Sequence, residues 1–192
     1  MGIHTFGLTA AAGSIRPAAM LTARNRRAAR RLSAILVTLA SFLGLAAVAF
    51  GLPPFTTAPK SSAGSGGQAE VFGVATGCHA TFDRFVVRAR FGTPRYDVRY
   101  VTRIIADGSG QPVPLRGTKR IRVVIRNARG HTQGGTNLLP AVRTPLCPNL
   151  RQVKTAGDFE GVVTFGLGLR RKTGFRVFRL TAPTRIVIDV HH

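Results

Sequence analysis

Phe82-Asp-Arg-Phe-Val-Val-Arg-Ala-Arg-Phe91 alternates with a period of two. Asp83, Phe85, Val87, Ala89 and Phe91 take one side, and Arg84, Arg88 and Arg90 the other. An extended chain sends successive side chains to opposite faces, so this pattern reads as a strand with one face on a core and one in solvent. It recurs downstream. In Arg95–Arg103, Tyr96, Val98 and Tyr100 oppose Arg95, Asp97, Arg99 and Arg103; in Lys119–Arg126, Ile121, Val123 and Ile125 oppose Arg120, Arg122 and Arg126. Phe159–Leu169 places Phe159, Val163, Phe165, Leu167 and Leu169 on one face, and Thr184–Val190 sets Ile186, Ile188 and Val190 against Arg185 and Asp189.

Turn-forming residues punctuate these runs: Gly92-Thr-Pro94, Asp107-Gly-Ser-Gly110, Gly157-Asp158, Lys172-Thr-Gly174 and Ala182-Pro183. Phe175–Leu180 changes phase midway, which predicts a bulge or a strand buried on both sides. Val71–Ala75 and Leu150–Lys154 add two short strands, and no segment sustains a 3.6-residue period. Seven to nine short strands over about 120 residues imply a single all-β sandwich, with a small barrel as the alternative architecture. Asn127–Asn149 is the exception, a long connection carrying His131, Gly134, Gly135 and Cys147. Connections of that size are functional or mobile.

Upstream, Arg24–Arg31 is a dense cationic block followed by the uncharged run Leu32–Leu52, the order of a signal sequence. Ala47-Val48-Ala49 fits a small-x-small cleavage site. The run also has the roughly 20-residue length of a membrane-spanning helix, so a cleaved signal and a retained single-span anchor are both open readings. A retained anchor would keep the arginine block on the cytoplasmic side. The residues around Arg30-Arg31 match a twin-arginine signal poorly, Met20 offers a second possible start, and the first cysteine, Cys78, lies too far on for a lipobox. Residues 1–52 therefore read as a targeting region and 53–69 as a flexible linker poor in large apolar side chains. Residues 70–192 form the domain, exported to an extracellular or wall-associated place of work.

Charge narrows the partner. The chain holds 28 Lys and Arg against seven Asp and Glu. Seven of those bases and none of the acids precede Glu70, so the segment from Glu70 onward carries 21 bases against seven acids, a net of +14. Such a field attracts anionic polymers. The bases are mostly Arg, which a GC-rich genome would produce, and which suits carboxylate and phosphate better than Lys does. There is no Trp for stacking on sugars. Alternation sends Arg84, Arg88, Arg90, Arg95, Arg99, Arg103, Arg120, Arg122 and Arg126 away from the core. If the three strands that carry them share a sheet, its outer face is an arginine array able to grip carboxylate or phosphate bidentately. Arg84, Arg88, Arg90, Arg99, Arg103, Arg120 and Arg122 are the candidate ligand contacts. Solvated outer faces that blunt edge strands would show the same pattern.

Cys78 and Cys147 read as a disulfide in an exported chain, worth about 4 kcal/mol by loop closure. A metal site from Cys78, His79, His131 and Cys147 lacks ligand spacing, because Cys78 and His79 are adjacent. Neither HExxH nor GxSxG occurs, and Gly166-Leu-Gly168 before Arg170 and Arg171 ends a strand with no helix behind it. No catalytic set, metal or cofactor is expected.

Four segments carry a resemblance: Cys78-His-Ala-Thr-Phe-Asp-Arg-Phe-Val-Val, Asp107-Gly-Ser-Gly-Gln-Pro-Val-Pro-Leu, Gly157-Asp-Phe-Glu-Gly-Val-Val-Thr-Phe-Gly-Leu-Gly-Leu and Pro183-Thr-Arg-Ile-Val-Ile-Asp-Val. Together they resemble the AMIN-like domain of exported bacterial proteins and lipoproteins, over nearly all of Glu70–His191. The last segment also resembles the final strand of AMIN domains, which target wall amidases and secretins and bind peptidoglycan. The resemblance implies a β-sandwich and a non-enzymatic module of the cell envelope. The sequence departs from the pattern by having no lipobox cysteine and no amidase or secretin domain. No ligand residue transfers with the likeness: Asp83, Arg84 and Glu160 are motif positions that a buried ion pair between strands would explain equally well.

The expected function is thus an exported, non-catalytic binder of peptidoglycan or an anionic wall polymer, acting through an arginine-rich sheet face. A structural subunit docking an envelope protein is the alternative, and would show an apolar patch or an open strand edge. Nucleic acid ranks lower, because the aromatics that base stacking needs are not interleaved with the bases. Membrane contact is expected only through the N-terminal segment.

Overall fold

The computed structural model describes residues 51–192. The leader readings, up to and including Ala47–Ala49, lie outside the described residues. The described chain is all β, and it contains no helix long and apolar enough to cross a membrane. In chain order the strands are β1 (Lys60–Ser62), β2 (Ala69–Cys78), β3 (Phe82–Arg90), β4 (Arg95–Val101), β5 (Ile104–Ile105), β6 (Pro112–Val113) and β7 (Lys119–Arg126). There follow β8 (Ala128–Arg129), β9 (Val142–Arg143), β10 (Leu150–Phe159), β11 (Val162–Leu169), β12 (Phe175–Leu180) and β13 (Thr184–His191). Eight of these have six residues or more; the other five are short edge or hairpin pieces.

Alternation builds two sheets that face each other. One runs β1-β4-β7-β11-β10-β9, the other β12-β13-β3-β2-β8, and β5-β6 forms a separate hairpin. Inward residues of both sheets meet in one core that includes Phe85, Val87, Ile121, Ile125, Phe165, Leu167, Ile186 and Ile188, all fully buried. Phe85 and Phe165, from opposite sheets, meet edge-on with ring centroids 5.4 Å apart, a favoured aromatic geometry. The sandwich expected from the period of two is therefore the architecture.

Several local expectations change. Segment 53–69 is built into the fold. Lys60 to Ser62 pair antiparallel with Val98 to Tyr96, and Thr56 and Phe175 exchange backbone hydrogen bonds of 3.1 and 2.8 Å. Phe55 lies 4.4 Å under the Arg176 guanidinium. Composition hid this because a segment without apolar periodicity still carries a full set of backbone donors and acceptors. Those groups cover the otherwise open edge of β4.

The turn expected at Gly157-Asp158 falls instead at Glu160-Gly161. Phe159 pairs with Val162, and both turn residues have positive φ (48° and 74°), the two-residue hairpin geometry that matches strand twist. Gly157 sits inside β10 beside a bulge, where a Cβ would lie 2.4 Å from the Cβ of Asp107. Its bare backbone lets Asp107 pack flat on the strand. Phe91, assigned to the inward face, has φ 66° and is 69% exposed, because the strand ends before it. Phe175–Leu180 contains no bulge: its register with β13 is unbroken, and Phe178 lies outward under arginine.

The long connection is pinned at several points. Ala128 and Arg129 pair parallel with β2, β9 pairs with β10, and Leu139 is buried. Cys147 joins Cys78 in the expected disulfide, with Cα atoms 5.2 Å apart. Beside it, the buried Asp83 Oδ2 accepts the backbone N–H groups of Asn149 and Leu150 at 2.6 and 2.7 Å. This motif aspartate therefore clamps the end of the loop onto β3.

Candidate functional site

The outer face of the six-stranded sheet brings several arginines together with few acids. β4 and β7 pair so that Arg95 stands opposite Arg126 and Arg99 opposite Arg122. Like charges directly across a strand pair destabilise it, and here two such rungs lie close together. Between these rungs, opposite Val124, stands Asp97, which chelates Arg99 through both carboxylate oxygens and keeps its guanidinium firmly protonated. Arg95, Arg122 and Arg126 have no carboxylate partner among the described residues, and the buried Nε of Arg122 has no hydrogen bond.

The surroundings turn this face into a groove. Next to β7, the outward residues of β11 are small or short: Val162 beside Arg126, Thr164 beside Val124, Gly166 beside Arg122 and Gly168 beside Arg120. The β5-β6 hairpin lies on the two glycines, where a Cβ at Gly166 would lie 2.8 Å from both Ile104 and Leu115. Ile104, Leu115 and Ala156 form a second small core beneath it. The hairpin raises one wall, and segment Ser61–Ala63 raises the other. Between them lie two adjoining clefts of about 360 and 340 Å³ that share Arg122 and Arg126. The first is lined by Arg95, Asp97, Arg99 and Ser61–Ala63; the second adds Asp107, Val124, Phe159, Glu160 and Val162.

The seven candidate arginines do not share one face. Arg99 and Arg122 line the groove, whereas Arg103 and Arg120 line separate depressions of about 470 Å³ each, near the hairpin and Lys172. Arg84, Arg88 and Arg90 belong to β3, which lies in the opposite sheet. Two of these three are held by acids. Arg84 and Arg176 together enclose the fully buried Asp189 at 2.7 and 2.9 Å, and Arg84 is held protonated chiefly by that hydrogen bond. Arg90 donates to Glu70 at 2.7 Å, with Arg129 at 3.4 Å; the Arg90 hydrogen bond is the main reason the Glu70 carboxyl sits below the usual range. Arg88 has no acid partner among the described residues and stands opposite Arg185 of β13. Arg95 and Arg126 complete the groove although they were not among the seven. Their signal was present in the outward alternation, but which arginines become neighbours depends on strand order.

Among the described residues, no group of metal-ligating side chains includes a histidine. His131 Nδ1 lies 2.6 Å from Asp158, and His79 stacks on Phe82 with centroids 4.5 Å apart. Cys78 and Cys147, considered above as metal ligands, are bonded to each other. Chemically the groove can hold an anion or a polyanion along two arginine rungs.

The described chain is thus a two-sheet sandwich with a disulfide-pinned loop and a cationic outer face. The family model of the AMIN-like domain matches residues 69–192, so the chain belongs to the AMIN-like domain family, which is associated with the bacterial envelope. No curated protein and no solved structure matches it significantly.

Proposed function

We propose that this domain is a non-catalytic module of the bacterial envelope whose groove on the six-stranded sheet binds the anionic groups of peptidoglycan or of a wall polymer. The observation that carries the reading is the pair of Arg–Arg rungs, Arg95 with Arg126 and Arg99 with Arg122, of which only Arg99 has an ion-pair partner, Asp97, among the described residues. Two like-charge rungs that line one groove cost stability, and guanidinium matches carboxylate and phosphate bidentately. Membership of the AMIN-like family supports the envelope as the setting.

The test is retention of the full chain, in non-ionic detergent, on insoluble wall sacculi across a salt series, with and without prior stripping of anionic polymers. Replacing Arg122 and Arg126 by Gln is expected to weaken retention about tenfold or more, as expected for losing charge-assisted hydrogen bonds. The same change at Arg88 and Arg185, a single rung on the opposite sheet, is expected to leave it near wild type. Equal loss from both pairs would reduce the protein to a cation exchanger and sink the groove reading.

A further inference from the structure

One half of the groove does not suit a pure polyanion. The 340 Å³ cleft sets Arg122 and Arg126 on one side and two carboxylates, Asp107 and Glu160, on the other. Val124, Val162 and Phe159 line it with apolar surface. Asp107 is fixed in place: its N–H donates to the Ala156 carbonyl at 2.9 Å, and its side chain packs on the bare backbone of Gly157. Its buried Oδ2 has no hydrogen-bond partner, nor does the buried Nε of Arg122 in the same cleft. Asp107 and Arg122 are not paired with each other. Both atoms are closed off from solvent, Oδ2 against the Gly157 backbone, so the remaining polar atoms of the two side chains are the ones that can meet a ligand in the cleft. Glu160 stands at the rim in a left-handed turn, a conformation that disfavours glutamate.

From this opposition we infer that the cleft takes a short zwitterionic peptide with a free carboxylate and a protonated amine. The carboxylate lies on Arg122 and Arg126, the apolar body crosses Val124 and Val162, and the ammonium points to Asp107 and Glu160. An anionic polymer would meet repulsion from both acids there, whereas a zwitterion has both ends matched. The inference rests on the groove reading and deepens it: the wall component recognised is peptide, with the neighbouring arginine-lined cleft free to hold further anionic groups.

The probe is N-acetyl-lysyl-alanine, titrated calorimetrically into the full chain in non-ionic detergent, with two blocked forms: the C-terminal amide and the Nε-acetylated lysine. Each block removes one charge and is expected to weaken binding about tenfold or more. Glu160→Gln should weaken the free peptide similarly, yet add little further loss to the Nε-acetylated form, because the same contact is already gone. Asp107→Asn should behave alike, with a thermal melt confirming that both variants fold. Long polyglutamate serves as the polyanion arm and should bind Glu160→Gln at least as well as wild type. If free and blocked peptides bind equally, or none binds, while polyglutamate still depends on Arg122 and Arg126, the zwitterion inference is wrong and the anion groove stands. If polyglutamate also ignores those arginines, the groove reading itself fails.

Discussion

Glu160 and Asp189 show how single carboxylates in this domain serve different ends. Glu160 has φ 48° beside Gly161 at 74°, in a two-residue turn that asparagine or glycine would fill with less strain. Glu160→Asn is therefore expected to stabilise the domain by about 1 kcal/mol, read as a higher denaturant midpoint at unchanged slope, while losing affinity for the peptide probe. A variant that gained no stability would show that glutamate is at ease in this turn, and would remove one argument for its role at the cleft. Asp189 is the opposite case, wholly buried between Arg84 and Arg176. Asp189→Asn leaves two partly buried guanidiniums without their counter-charge and should cost about 3 kcal/mol. Asp97→Asn, at the exposed Arg99 pair, should barely move the melting temperature. Comparable losses at both sites would contradict this division between structural and surface-displayed charge. Asp83 and Arg84, adjacent motif residues, likewise part ways: the first clamps the loop to β3, and the second packs outside on Asp189. Alternation had placed them on opposite faces of one strand, but only the partners brought by β13 and the 147–150 segment reveal what each does.

Strands were more legible than their connections, because a period of two is a local property and a pairing is not. β3, β7 and β13 fall within a residue of where alternation puts them, whereas β12 lacks the bulge that its change of phase implies. The β10–β11 turn is not where Gly157 suggests, because the missing side chain of Gly157 makes room for Asp107 within the strand. The β5-β6 hairpin had no sequence signal beyond Asp107–Gly110, and its docking depends on glycines in another strand. At Gly168 a Cβ would lie 2.1 Å from the backbone oxygen of Arg116. Gly168→Ala must therefore push the hairpin away, at a cost of about 2 kcal/mol. Faster amide exchange across residues 104–116 together with weaker peptide binding is the expected result; a hairpin protected as in wild type would mean that it is not seated by this glycine. At the other sheet, Glu70 ties β2 to β3 and β8 through Arg90 and Arg129. Its folded pKa is depressed, so the stability it contributes is present above the unfolded value of about 4.3 and is lost as pH falls through the lower folded value. Glu70→Gln should flatten that part of the acid limb in a pH series of denaturant midpoints. An unchanged acid limb would assign the dependence to another carboxylate.

Across the whole molecule, the leap that sequence could not make was from outward arginines to a shared surface. β3 turns back onto β2 and β13, while β4 pairs with β7, so side chains eleven residues apart in sequence, such as Arg88 and Arg99, finish on opposite outer faces. Such long-range strand order is absent from any local pattern, and it decides which charges add. The same order gives the disulfide its reach. Cys78 ends a strand of the five-stranded sheet, and Cys147 precedes β10 of the six-stranded one, 69 residues later. Their bond therefore ties the two layers at the end of the sandwich where Asp83 also holds Asn149 and Leu150. Replacing both cysteines by serine should lower stability by about 4 kcal/mol, the loop-closure entropy returned to the unfolded chain. Because Asp83 and the two-layer core remain, the variant should still fold and retain the groove, which lies on β4, β7 and β11 and not on this tether. The measurement is chemical denaturation of both proteins alongside titration of the peptide probe. A loss below about 1 kcal/mol would mean that the 127–149 connection is held by its backbone clamps alone, and that the disulfide adds little to closing the loop. Binding lost together with stability would instead tie the groove to the far end of the sandwich, and the two could no longer be treated as independent parts of the fold.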